Sequence, residues 1–253
     1  VRPAPDLRDA IVSYPVPTER DLFAELAASA ALEALGRGRS GTTLTKVDAA
    51  GGVPLVRTTT RYRDPAQRFQ PVHDHLAERI QALAEVPVAF DNALLEIYTN
   101  DYATMGSHCD QALDLADDSF IAVFSCYREP VAVPPRKLVV TQKGSGEKVE
   151  IPLAHHSAVV FSVAANRRLR HKIVLDAPAA ANEWLGVTFR TSKTHVRFHD
   201  GHAYLPGGER LTAADEDQRQ EFYRLRRREN QETDFTYPPL TYTVSDGDLL
   251  PPR

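Results

Sequence analysis

His108 and Asp110 flank Cys109, directly after the turn-like residues 100–107 (NDYATMGS). In an extended backbone, residues two apart project to the same side. An imidazole and a carboxylate at this spacing therefore point at one ion. A second histidine from a later strand would complete a two-histidine, one-carboxylate face, which leaves metal positions open and suits non-heme iron(II). Two open positions take a chelating 2-oxo acid and one takes dioxygen. His171, in NRRLRHKIVLD at the head of the run HKIVL, is the expected third ligand. His155 and His156 are its rivals, but they precede the apolar run SAVVFSV and read as turn residues before a strand. A lone His-x-Asp triplet is more often a surface hydrogen bond. The triplet gains weight from a later histidine and a later arginine in order.

That arginine is Arg190, at the end of the strand-like WLGVTF. A guanidinium is a planar fork that bonds both oxygens of a carboxylate. Arg190 is therefore expected to hold the distal carboxylate of a 2-oxo diacid such as 2-oxoglutarate, with Ser192 or Thr188 adding a hydroxyl.

Positioning these groups requires strands. Residues 21–35 (DLFAELAASAALEAL) have helical spacing and good helix formers, and Gly36, Gly38 and Gly41 end the segment. Residues 53–62 (VPLVRTTTRY) read as a strand, and 71–83 (PVHDHLAERIQAL) as a second helix. Short runs rich in Val, Ile, Phe and Thr follow at 94–98, 119–126, 137–141, 147–151, 158–163, 171–175 and 185–190. Short strands at near-even spacing predict a sandwich or jelly roll. A charged helix over 213–230 and a Pro-rich extended tail complete the chain. The expected fold class is α+β, mainly β. One domain is expected over 1–253, with a helix-and-strand layer at 1–90, a β core at 91–195 and a C-terminal extension at 196–253.

From Asp91 to Thr194 the chain resembles the AlkB-like branch of the iron(II)- and 2-oxoglutarate-dependent dioxygenases. The resemblance rests on LEIY ending in Tyr98, the run ATMGSHCDQALDL, the strands FIAVFS and AVVFS, the histidine in RRLRHKI, and the Thr-Phe-Arg ending in Arg190. It implies a double-stranded β-helix core, iron(II) on His108, Asp110 and His171, and 2-oxoglutarate held by Tyr98 and Arg190. It also implies oxidative decarboxylation of 2-oxoglutarate coupled to oxidation of a substrate C–H bond. Related halogenating enzymes carry Gly or Ala in place of the carboxylate ligand, so Asp110 points to hydroxylation. Two positions depart from AlkB-type repair enzymes. Trp184 stands where those commonly carry a second arginine, with Gly186 at their asparagine, and Ala112 stands where an acidic residue is frequent.

The 253 residues carry 30 basic and 34 acidic side chains, a net charge of −4 that gives little attraction to a nucleic-acid backbone. Two cysteines, Cys109 and Cys126, make no disulfide framework. No apolar run approaches a membrane span and no secretory signal is legible, which makes the cytoplasm the default expectation. The expected function is oxidation of a small molecule, anionic or nucleotide-like, in secondary metabolism. Dioxygen is the co-reactant, and Arg57, Arg61, Arg168 and Arg170 are candidate substrate contacts. Oxidative demethylation of nucleic acid or protein is the alternative, and a structural or sensing metal site on a β-helix is a third reading. The run RLRRREN at 224–230 reads as a solvated helix face.

Overall fold

The computed structural model describes residue 7, residues 10–176 and residues 180–253. The chain opens with β1 (Ile11–Pro15), α1 (Leu22–Ser29), β2 (Glu33–Gly36), β3 (Arg39–Thr45), β4 (Val53–Leu55), the two-residue β5 (Gln67–Arg68) and α2 (Pro71–Leu83). Asp21 caps α1 by accepting the Ala24 N–H at 3.0 Å. The helix stops at Ser29 rather than running to residue 35, because Glu33–Gly36 pairs with β3 as a hairpin whose tight turn puts Gly36 and Gly38 at φ of 85° and 71°. Sheet pairing there overrides the helix propensity of ALEAL. The strand expected over 53–62 likewise ends at Leu55. Beyond it Arg57 is drawn into a buried ion pair with Asp114, and the threonines that follow wall a cavity.

The helix expected over 71–83 forms with those bounds. Pro71 sits in the first turn, where its missing N–H is not needed. His73 accepts the Gln70 N–H on Nδ1 at 2.9 Å, and its Nε2 meets Ser29 Oγ at 2.7 Å, which ties α2 to α1.

All seven short runs between 94 and 190 are strands. They are β6 (Asn92–Tyr98), β7 (Phe120–Tyr127), β8 (Arg136–Gln142), β9 (Lys148–Pro152), β10 (Ser157–Ser162), β11 (Leu169–Leu175) and β12 (Trp184–Arg190). The large sheet has the order β1-β10-β7-β12-β6-β3-β2, and the small sheet β11-β8-β9. Residues Thr104 and His108 extend the small sheet through bridges to Val174 and His171 on β11. From β6 to β12 the chain passes back and forth between two facing sheets, with β8 and β9 forming a hairpin within the small one. The core is a double-stranded β-helix.

The large sheet is covered on both faces, which is why β6 and β12 read as nearly continuous apolar runs rather than alternating ones. Its outer face (Ala93, Leu95, Ile97, Leu185, Val187, Phe189) packs under Leu26 of α1 and Leu76 and Ile80 of α2. Its inner face (Tyr98, Val123, Tyr127, Trp184) meets Leu138, Val140 and Ile173 of the small sheet. The short α3 (Val163–Arg168) links β10 to β11, and β13 (Thr194–His199) leaves the core to pair with β4. The charged helix is α4 (Glu216–Gln231), capped by Asp215. Its Phe222 and Leu225 pack on Leu113 and on Phe235, Leu240 and Tyr242 of the tail. Among the described residues no helix is long and apolar enough to cross a membrane.

Candidate metal centre

His108 leaves the turn and exchanges both backbone hydrogen bonds with His171: His108 N–H donates to the His171 carbonyl at 2.9 Å and His171 N–H to the His108 carbonyl at 2.6 Å. This bridge sets the two imidazoles side by side, with ring centroids 4.8 Å apart. Asp110, two residues on, projects to the same side. Its Oδ1 lies 3.9 Å from His108 Nε2 and 3.4 Å from His171 Nε2. One donor atom from each of the three residues lies within 4.8 Å of the other two. His108, Asp110 and His171 form a two-histidine, one-carboxylate cluster that could hold a metal ion.

Protonation suits metal binding. His108 Nδ1 faces the Gly106 carbonyl at 2.8 Å, and a carbonyl only accepts, so the proton belongs on Nδ1 and the Nε2 lone pair faces the carboxylate. Burial and the neighbouring His171 push the His108 pKa down to about 3, so the ring is neutral at pH 7. Burial alone would raise the Asp110 pKa. Arg190 and the two histidines outweigh it and hold the carboxyl well below its usual range. Ligands already deprotonated need release no proton when a cation enters.

Arg190 ends β12 beside this set. Its Nε donates to Asp110 Oδ2 at 2.7 Å and its Nη2 lies 2.6 Å from the same oxygen. Its Nη1 is buried without a partner among the described residues. A buried, unsatisfied guanidinium nitrogen next to His108, Asp110 and His171 fits a second anionic group, such as a carboxylate chelating the same ion. Gln111, also buried in the cavity wall, has no partner for either amide atom among the described residues.

The ligand set opens on a cavity of about 400 Å³. Thr188, Arg190 and Trp184 of β12, Leu94, Glu96 and Tyr98 of β6, and Arg39 of β3 form its large-sheet side. Thr58, Thr59, Thr60, Tyr102 and Met105 lie along the rest of its wall. Tyr98 donates its hydroxyl to Glu96 at 2.7 Å, and Glu96 also accepts Arg39 Nε at 2.8 Å. The Trp184 ring lies over Gly186, where a Cβ would meet it at 2.0 Å, so any other residue at 186 would force the indole to shift.

Several expected site residues lie elsewhere. Ser192 is buried outside the cavity, donating to the Leu55 carbonyl at 2.6 Å and accepting the Thr194 N–H at 3.0 Å, so its hydroxyl is committed to the β12–β13 connection. Arg57 is buried but turned away, bonding both Asp114 oxygens and the carbonyls of Leu240 and Tyr242. Arg61 is exposed and donates to Tyr223 Oη at 3.2 Å. Arg168 is exposed at the end of α3. Arg170 alternates with His171 on β11 and therefore faces the opposite side. None of these four arginines lines the metal-centre cavity. His155 accepts the Tyr127 N–H at 3.1 Å and takes no part in the ligand set.

The sequence reading missed Arg226 and Asn230, which border the cavity from α4. A signal was present. Phe222, Leu225, Arg226 and Glu229 are the buried positions of α4 and follow the i, i+3, i+4, i+7 spacing of an inward stripe.

No protein-family model and no curated protein matches the chain. Solved structures to which it is similar include one described as the structure of OsALKBH1, at 14% identity and a TM-score of 0.49, covering 72% of this chain and 98% of that one. Another is a Pseudomonas putida prolyl-4-hydroxylase, at 12% identity and a TM-score of 0.42, covering 72% and 92%. The chemistry of the site is therefore read from its own geometry.

Proposed function

We propose that the protein is an iron(II)- and 2-oxoglutarate-dependent oxygenase that hydroxylates or otherwise oxidises a small molecule. One observation carries this reading: His108, Asp110 and His171 cluster at the wall of a cavity of about 400 Å³ beside the unpaired Arg190 Nη1. Three protein ligands on one face leave the remaining positions of an octahedral ion free for exogenous ligands. Iron(II) with 2-oxoglutarate supplies dioxygen activation at such a site.

The protein's own residues bind and orient. His108, Asp110 and His171 hold the metal. Arg190 holds Asp110 with two nitrogens and offers its third to the 2-oxo acid, with the Thr188 hydroxyl on the same inward face. The Tyr98 and Trp184 rings lie with centroids 4.8 Å apart, tilted by 38°, and form an aromatic part of the cavity wall.

A cavity of about 400 Å³ falls in the range of small-molecule sites and supports a substrate of that class. The net charge of −4 supports the same choice over a nucleic acid. The four candidate arginines lie off the cavity, and Arg39 and Arg226, which do line it, are paired with Glu96 and Glu229; with the threonines of the wall, this favours a polar substrate over a strongly anionic one. Two assays test the reading: oxygen-dependent succinate formation across a metabolite panel, and the same assay with methylated oligonucleotides. Stimulation by metabolites alone is expected. Methyl loss from an oligonucleotide, with tight and salt-sensitive binding, would replace the small-molecule substrate by nucleic acid.

A further inference from the structure

We propose that α4, outside the β-helix, positions the metal ligands: Arg226, Glu229 and Asn230 set the loop that carries His108 and Asp110. This rests on the metal-centre reading above and adds to it residues from the C-terminal extension.

Between the His108–His171 bridge and Leu115 the chain leaves the sheet ladder, so its backbone polar groups need other partners. Side chains supply them. Cys109 N–H donates to Asn230 Oδ1 at 2.9 Å, and the Cys109 carbonyl accepts from Arg226 Nη2. Asp110 N–H donates to Asn166 Oδ1 at 2.8 Å, and Asn166 Nδ2 donates back to the Asp110 carbonyl at 2.7 Å. Ala112 N–H donates to Glu229 Oε1 at 2.8 Å. Every backbone donor and acceptor of Cys109 and Asp110 is thus held by a side chain, two of the four from α4.

The clamp is itself braced. Arg226 Nη1 lies 2.7 Å from Glu229 Oε2, which also accepts the Tyr237 hydroxyl at 2.7 Å. Lys143 Nζ donates to the carbonyls of Glu229 at 2.6 Å and Glu232 at 3.0 Å, anchoring the C-terminal end of α4. Arg226 and Glu229 are both buried. The alternation that points His108 and Asp110 at the metal points the fully buried Cys109 side chain at α4, with its Sγ 3.3 Å from Asn230 Oδ1. The loop therefore has the metal on one side and α4 on the other. A shift of α4 moves the Asp110 carboxylate relative to His171, which belongs to the small sheet. These three are positioning residues: they touch the ligand loop rather than the metal.

The test is a Co(II) titration, followed by visible absorption, of the full chain and of Asn230→Ala, Glu229→Gln, Asn230→Asp and Arg228→Ala. Arg228 lies on the exposed side of α4 and pairs with Glu232. Outer residues that orient metal ligands typically change affinity roughly 10- to 100-fold. Asn230→Ala and Glu229→Gln should weaken Co(II) binding by that factor and alter the spectrum. Asn230→Asp, which keeps the acceptor, should recover most of the loss, and Arg228→Ala should match the parent. Folded Asn230→Ala and Glu229→Gln proteins with parental affinity and spectrum would overturn the proposal. Amide exchange of the unmodified, metal-free chain tests it without any variant. The Cys109, Asp110 and Ala112 amides should exchange as slowly as those of α4, and fast exchange there would overturn it. A parent that binds no Co(II) would instead refute the metal-centre reading, while the exchange result still decides whether α4 holds the loop.

Discussion

Arg190 and Asp110 form a buried pair in which one carboxylate oxygen receives two guanidinium nitrogens, at 2.7 and 2.6 Å, while the other oxygen faces the two histidines. Asp110 is thereby oriented from behind, with Oδ1 left for a cation. The same contact changes what Arg190 is expected to do. It stands beside the metal, with one nitrogen left over.

Replacing Arg190 therefore affects two ligands. Arg190→Leu leaves the Asp110 carboxylate buried without its main counter-charge, which raises its pKa and makes proton release part of metal binding. The apparent 2-oxoglutarate requirement should rise by about tenfold or more, the scale of a lost charge-assisted bond. Co(II) affinity should also fall, more steeply at pH 6 than at pH 8. Arg190→Lys keeps the charge without the fork and should lie between. Titrations of both ligands at the two pH values check this, and an unchanged response to both would contradict it.

The Arg57–Asp114 pair tests stability apart from chemistry. Both side chains are buried, and Asp114 also receives the Arg57 N–H and the Thr194 hydroxyl. Removing one partner of such a pair costs about 3–5 kcal/mol. Asp114→Ala should lose that much in urea unfolding while the folded fraction keeps parental Co(II) affinity. A loss below about 1 kcal/mol, the scale of an exposed pair, would contradict the burial described here.

Acid sensitivity of the helical layer follows from His73. Burial lowers its pKa from 6.5 to about 4. The unfolded chain takes this proton first, so the stabilisation is complete above about pH 6.5 and is lost as pH falls toward about 4. That window corresponds to roughly 3 kcal/mol. Unfolding free energies of the metal-free protein across this range should show the decline, and His73→Gln should flatten it. Equal slopes in the two proteins would show that His73 does not contribute.

Much of this was legible in the sequence, because the core strands and the His-x-Asp spacing are local signals. The seven strand runs are bounded by turn residues, and the ligand set follows from alternation plus one later histidine. The failures are tertiary. ALEAL is helical by propensity and becomes β2 because β3 lies beside it. Arg57 and Ser192 look like site residues until their partners, Asp114 and the Leu55 carbonyl, are known. Arg226 looks like one charge in a solvated run until its place on the buried stripe of α4 is seen. Composition does not distinguish an arginine facing water from one facing a backbone carbonyl far along the chain.

The most direct measurement is oxygen-dependent conversion of 2-oxoglutarate to succinate by the iron(II)-loaded chain, in parallel with His171→Ala and His155→Ala. The predicted result is succinate formation by the parent, none by His171→Ala, and near-parental formation by His155→Ala. Contradiction would come from a parent that binds iron(II) yet never consumes 2-oxoglutarate, or from His171→Ala retaining activity that His155→Ala loses.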